Sequence, residues 1–116
     1  MLKAKTSEEV EAIMREFVEG SIPIFGDKLK KIVLYGSYAR GDFDAESDID
    51  VMFLVDKNED ELSKDLDKII SLETDIGLKH DVFISPLLQS SEKFERYLSV
   101  LPFYQSVARE GVVIYE

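Results

Sequence analysis

The chain has 116 residues, 45% apolar and 33% charged, which is ordinary for a folded globular protein. Its 14 basic and 24 acidic residues give a net charge of −10, which argues against non-specific binding to DNA or RNA, because that binding depends on neutralising phosphates. With no cysteine, disulfides and thiolate zinc sites are excluded. No apolar stretch reaches the roughly 18 residues of a membrane helix, so we expect a cytoplasmic protein without membrane contact, folded as one domain over residues 1–116.

The N-terminal half predicts a helix and two strands. Thr6 and Glu9 have the spacing of a capping box, and apolar residues then recur at helical spacing. We expect Gly20 and Pro23 to end this helix. The next segments are predicted as a strand at 31–35, a helical turn opened by Gly36 and Ser37, a polar loop at 41–47 and a strand at 48–55.

The C-terminal half predicts three further helices and two strands. In order, they are a helix at 58–75, a strand at 78–84, a helix capped by Ser90 or Ser91, a helix at 102–110 and a short strand at 112–115. The alternation of helices and strands predicts an α/β or α+β fold, in which helices flank a small mixed sheet.

Acidic residues in two of the predicted strands suggest a metal site. Asp48 and Asp50 alternate with core residues, so their carboxylates share one strand face about 7 Å apart. Two such carboxylates favour a cation between them, and hard oxygen ligands suit Mg²⁺ or Mn²⁺. Asp81 falls in the predicted third strand, and if that strand neighbours the second, Asp81 completes a three-carboxylate cluster able to hold two metals.

The segment between the first two strands suggests a phosphate site. Gly36 permits a sharp bend and a close backbone approach, and Ser37 offers a hydroxyl and an N–H at the start of a helical turn. Arg40, one turn on, could contact phosphate oxygens, or could simply pair with Asp42 or Asp44. Each feature alone is weak, but their order and spacing indicate a protein that uses metal ions to act on a nucleoside triphosphate.

These motifs resemble a known family. The residues Gly36-Ser37-x-Ala39-Arg40-Gly41, followed by Ser47-Asp48-Ile49-Asp50, are similar to the signature of the DNA polymerase β-like nucleotidyltransferase superfamily. Within it, the chain most resembles the minimal nucleotidyltransferase (MNT) group. The similarity covers most of the chain, including Asp81 and the C-terminal segment 109–116.

The resemblance implies an active site and a reaction. Gly36 and Ser37 would hold the triphosphate of ATP, and Asp48 and Asp50 would bind two Mg²⁺ ions, with Mn²⁺ as the alternative. Asp81 would ligate the metal that activates the acceptor hydroxyl. Small members of the group transfer AMP to a tyrosine of a partner HEPN-domain toxin and so act as antitoxins.

Three other functions stay open at this point. The chain could modify a small hydroxylated molecule such as an aminoglycoside, in which case a homo-oligomer would have to complete the pocket. It could neutralise a toxin by binding alone, or it could sense a nucleotide without transferring any part of it.

Neighbouring residues are predicted to be structural. By strand alternation His80 faces away from Asp81, and Tyr35 and Tyr38 are expected to pack more often than to stack on a base. Ser47 is expected to orient Asp48 through a hydrogen bond.

Overall fold

A mixed sheet of four strands organises residues 5–45 and 47–116, which are the residues described by this computed structural model. Residues 1–4 of the predicted domain and Glu46 of the predicted loop lie outside the described residues. The strands are β1 (Leu29–Tyr35), β2 (Ile49–Val55), β3 (Ile84–Ser90) and β4 (Val112–Tyr115), in the order β3-β2-β1-β4. β1 is antiparallel to β2 and β4, whereas β2 and β3 are parallel. The predicted fold class is confirmed.

The first helix, α1 (Ser7–Phe25), opens with the predicted capping box. The Thr6 hydroxyl accepts a hydrogen bond from the Glu9 N–H at 3.2 Å. The prediction that Gly20 and Pro23 end this helix is wrong, because α1 continues through both residues to Phe25. Phe25 is buried in the core and anchors the last turn, which offsets the backbone hydrogen bond that proline removes.

The two faces of the sheet carry separate helices. α1 and α3 (Glu59–His80) pack on one face, whereas α4 (Ser91–Tyr97) and α5 (Pro102–Glu110) pack on the other. Alternate residues of β2 point to the two faces, so Val51 and Phe53 meet α1 and α3, whereas Met52 and Leu54 meet α4 and α5. Asp50 lies two residues before Met52, so its side chain points to the same face of the sheet, the side of α5.

The predicted strand at 78–84 is wrong. α3 runs to His80 instead of ending near residue 75, because Ile69 and Ile76 continue its buried stripe into the core. Asp81 then ends the helix in a left-handed conformation, with a φ of 53°. β3 begins only at Ile84 and passes through Pro86, which an edge strand tolerates because one side of its ladder is unpaired.

The remaining elements follow the prediction. A helical turn, α2 (Ser37–Arg40), follows β1, and the Ser90 hydroxyl accepts a hydrogen bond from the Lys93 N–H to cap α4. α5 and β4 have the predicted bounds. Within the described part of the chain, no helix combines the length and apolarity that a bilayer crossing requires.

Candidate active site

The chain bends sharply where β1 meets α2. Gly36 has a φ of 76°, a left-handed conformation that favours glycine, and its carbonyl accepts a hydrogen bond from the Arg40 N–H at 3.0 Å. The antiparallel register pairs Tyr35 with Asp50, so this bend lies directly beside a carboxylate of the neighbouring strand. A Cβ atom at Gly36 would lie 2.3 Å from Oδ2 of Asp50. The predicted phosphate-binding glycine and one predicted metal ligand are therefore in contact.

The two predicted carboxylates are Asp50 on β2 and Asp48 just ahead of that strand. Asp50 is half-buried, and burial raises its pKa above the ordinary range, with a further rise from the negative charge of Asp48. The positive charge of Arg40 opposes this rise. Asp48 is exposed just ahead of β2, where its Oδ2 lies 3.5 Å from the hydroxyl of Ser85, a donor on β3.

This donor set fits a magnesium ion that also binds a nucleotide. Mg²⁺ commonly takes one or two protein carboxylates and fills its remaining positions with phosphate oxygens and water. Asp48 and Asp50 supply such a pair, and a cation between them would relieve their repulsion. Among residues 5–45 and 47–116, no group of three or more His, Cys, Asp or Glu side chains is arranged to hold a metal by itself.

A cavity of about 360 Å³ opens beside the bend. It is lined on one side by the predicted site residues Gly36, Ser37, Arg40 and Asp50, together with Tyr35. Its other wall is α5, which contributes Phe103, Ser106, Val107 and Glu110. The sequence analysis missed this wall. Its signal was the helical spacing of these α5 positions, which places them on one helix face.

Arg40 links the two walls of this cavity. Its Nε donates to Oδ2 of Asp42 at 3.1 Å, and its Nη1 lies 3.6 Å from Oε2 of Glu110. Of the two alternatives left open for Arg40, the ion pair with Asp42 is present, and phosphate binding stays a prediction, since the same guanidinium also lines the cavity. The described structure therefore holds a cation at the cavity in contact with two carboxylates.

The tyrosines beside Gly36 pack, as predicted. Tyr38 is buried and stacks on Phe43 with ring centroids 4.2 Å apart. Tyr35 meets the edge of Phe103 at 5.7 Å, and its side chain lines the cavity. Burial, and secondarily the charge of Asp50, raises the pKa of Tyr35 to about 12, so this phenol stays protonated at neutral pH.

Asp81 does not join the Asp48–Asp50 pair in the structure. It is exposed at the end of α3, because the segment predicted as a strand is helical as far as His80. Asp81 lines a different depression, together with Leu78 and Phe83. Its role as the third metal ligand stays a prediction.

Two other neighbours have clear structural partners. His80 pairs through Nε2 with Glu16 of α1, so the predicted structural role of this histidine is confirmed. The Ser47 hydroxyl accepts a hydrogen bond from the Asp44 N–H at 2.9 Å, which stabilises the loop ahead of β2. The contact with Asp48 that was expected of Ser47 is made by the Ser85 hydroxyl instead.

The comparisons with known proteins show the family to which this chain belongs. Residues 13–111 match the family model described as a nucleotidyltransferase domain, so the chain belongs to that family and is a nucleotidyltransferase. Two proteins of Methanocaldococcus jannaschii, each named "Putative protein adenylyltransferase", are 44% and 37% identical to it. The first alignment covers 69% of this chain and 79% of the relative, and the second covers 90% and 97%.

Two solved structures share the fold. A toxin–antitoxin crystal structure with AMP-PNP matches with a TM-score of 0.59 at 19% identity, over 88% of this chain and 72% of that one. A complex of tri-AMPylated Shewanella oneidensis HEPN toxin with an MNT antitoxin matches with a TM-score of 0.54 at 17% identity, over 90% and 71%. At these identities the likeness shows the fold alone.

We predict that Gly36→Ala displaces the Asp50 carboxylate. The matched control is Gly41→Ala, because Gly41 also has a positive φ, 87°, but no atom lies within 4 Å of its added Cβ. Gly41→Ala should lower the free energy of unfolding by about 1 kcal/mol through backbone strain alone. Gly36→Ala should lower it by about 1–2 kcal/mol more and should weaken binding of MgATP about tenfold or more. Urea unfolding and calorimetry measure the two effects, and equal behaviour of both variants would contradict the contact.

We predict that Asp50→Asn stabilises the metal-free protein. The pKa of Asp50 is higher in the folded state than in the unfolded state. Ionisation of Asp50 therefore destabilises the fold as the pH rises from the unfolded pKa through the folded pKa, and the full penalty is present at pH 7. Asparagine removes that penalty, on the order of 0.5 kcal/mol because water still reaches the side chain.

The stability difference should disappear as the pH falls below about 3.9, where the unfolded aspartate is protonated. Mg²⁺ should stabilise the unchanged protein more than the variant. Unfolding in urea across this pH range, with exposed Asp67→Asn as the control, tests the prediction. A variant that is less stable than the unchanged protein at pH 7 would overturn it.

Proposed function

We propose that this nucleotidyltransferase transfers AMP from MgATP to a protein hydroxyl, and that the acceptor is a tyrosine of a HEPN-domain toxin. The observation that carries the proposal is the contact between Gly36 and Asp50, which sets a bend suited to phosphate against a carboxylate at the same cavity. The names of the relatives support AMP transfer to protein, and the toxin–antitoxin neighbours support the partner.

In this proposal the residues of the cavity bind and orient the triphosphate. Gly36 lets the chain bend while leaving room for the Asp50 carboxylate, and Ser37 supplies a hydroxyl and the first N–H of a helical turn to the triphosphate. Arg40 can turn from Asp42 and Glu110 toward phosphate oxygens, since Arg40 itself lines the cavity. Asp48 and Asp50 would hold Mg²⁺, or Mn²⁺ in its place.

The reaction itself is an in-line displacement at the α-phosphorus. When bound, the metal neutralises the developing charge on the phosphate oxygens. The acceptor oxygen forms a bond to phosphorus while the bond to pyrophosphate breaks, and the hydroxyl proton passes to a carboxylate beside the acceptor. The fixed position of Asp50 against Gly36 keeps the carboxylate pair aligned with the triphosphate while this exchange takes place.

The experiment is incubation of this chain with α-labelled ATP, Mg²⁺ and a HEPN-domain protein from the same organism. We predict labelling of the HEPN protein, and a labelling rate on the order of a hundredfold lower with Asp48→Asn. Loss of a residue that only hydrogen-bonds a metal ligand already costs up to about a hundredfold, and loss of the ligand itself should cost at least as much. Asp67→Asn, on the exposed side of α3, should label at the normal rate. Undiminished labelling in Asp48→Asn would refute catalysis at this site, and full toxin neutralisation by that variant would show that binding alone suffices.

The role of Asp81 requires its own test. β2 and β3 are parallel, so both strands begin at the same edge of the sheet, and the segments that precede them end at that edge. This topology supports a contribution from Asp81. We predict that Asp81→Asn lowers the rate of transfer about tenfold or more while leaving the unfolding transition unchanged. A normal rate would show that two carboxylates complete the site.

A further inference from the structure

Two large apolar side chains are left open to water beside the candidate active site. Among the described residues, Leu78 is 79% exposed and Phe83 is 66% exposed, the highest values for large apolar side chains. They line one depression of about 430 Å³, together with Val82, where α3 gives way to β3. Single exposed apolar residues are ordinary, but a concave surface that groups them is typical of a binding site.

This surface, the Leu78–Phe83 depression, adjoins the carboxylate pair. The Ile49 N–H donates a hydrogen bond of 2.9 Å to the carbonyl of Phe83, and Ile49 is the residue between Asp48 and Asp50. Two residues beyond Phe83, the Ser85 hydroxyl meets Asp48. A partner segment bound in the depression would therefore lie next to the edge of the sheet that carries Asp48 and Asp50.

The charge around the depression has one sign. Glu73 and Asp81 line it, and none of its lining residues is basic. Lys79, the lysine nearest in sequence, is turned away, because its Nζ lies 2.9 Å from the carboxylate of Glu16 on α1. The net charge of −10 extends the same negative field over the whole chain.

We propose that the Leu78–Phe83 depression docks a cationic segment of the protein that carries the acceptor hydroxyl. An apolar side chain of that segment packs between Leu78 and Phe83, and its Lys or Arg side chains face the acidic border. The inference rests on the proposed function in one respect, namely that the acceptor is a protein. Charge complementarity selects the occupant, since a second copy of this acidic chain would be repelled.

The direct test is the binding of short labelled peptides, each with one tyrosine, measured by fluorescence anisotropy without nucleotide. One peptide combines lysine with leucine, one glutamate with leucine, and one lysine with serine. The lysine–leucine peptide should bind about tenfold or more tighter than either of the others, and added salt should weaken it. Equal binding of all three peptides would overturn the proposal.

The variant for this test is Leu78→Ser combined with Phe83→Ser. Both side chains are exposed, so the unfolding transition should be preserved, and affinity for the lysine–leucine peptide should fall about tenfold. The matched control is Val100→Ser, which removes another exposed apolar side chain, 64% open to solvent, between α4 and α5. Normal peptide affinity in the double variant, or an equal loss in the control, would contradict the assignment.

A second measurement separates this inference from the proposed function. The double variant should bind MgATP normally but should need a higher concentration of HEPN protein to reach half-maximal labelling, because only docking is impaired. If the unchanged protein labels nothing yet binds the lysine–leucine peptide through the depression, the docking surface stands and AMP transfer fails. If the double variant labels the HEPN protein with unchanged concentration dependence, AMP transfer stands and the docking surface is wrong.

Discussion

The backbone of Gly36 and the carboxylate of Asp50 occupy adjoining space where the first two strands meet. Any side chain at position 36 would enter the volume that Oδ2 of Asp50 fills, since a Cβ would lie only 2.3 Å away. The antiparallel register of Tyr35 with Asp50 sets this contact, and the left-handed φ of Gly36 turns the chain away from the strand immediately after it. The bend and the carboxylate pair therefore keep their relative position as long as β1 and β2 stay paired.

The sheet keeps that pairing rigid and also decides which helix completes the site. β2 lies inside the sheet, and its residues from Val51 to Val55 are buried between the two helical layers. Strand alternation turns Asp50 toward the layer of α4 and α5, so the cavity closes against Phe103 and Glu110 of α5. The same alternation places Val51 and Phe53 against α1 and α3, so the position of Asp50 depends on the packing of the main core.

Local signals allowed most of the elements to be predicted, whereas the geometry of the site depended on contacts distant in sequence. The capping box at Thr6 and the start and stop signals of α5, Pro102 and Gly111, were sufficient to place helices, because these signals act over a few residues. The prediction of a strand at 78–84 was wrong because a short apolar run fits both a strand and the end of a helix. The burial of Ile76 and the left-handed conformation of Asp81 decide between the two. The helical spacing of α5 groups its cavity residues on one helix face, but the sequence could not show which part of the sheet that face covers, since this depends on the packing of α5 against β1.

The charge of the cavity sets a condition on the proposed triphosphate ligand. Arg40, the cation that lines the cavity, is already paired with Asp42 and Glu110, so an incoming phosphate must compete with two carboxylates for it. Asp48 and Asp50 add further negative charge, and burial with mutual repulsion already raises the pKa of Asp50. A free nucleotide would therefore meet net repulsion, whereas a nucleotide that arrives with Mg²⁺ brings the charge that both the phosphates and the carboxylates lack. If the proposed ligands bind in this cavity, metal and nucleotide should therefore bind together, because neither ligand alone removes both sources of repulsion.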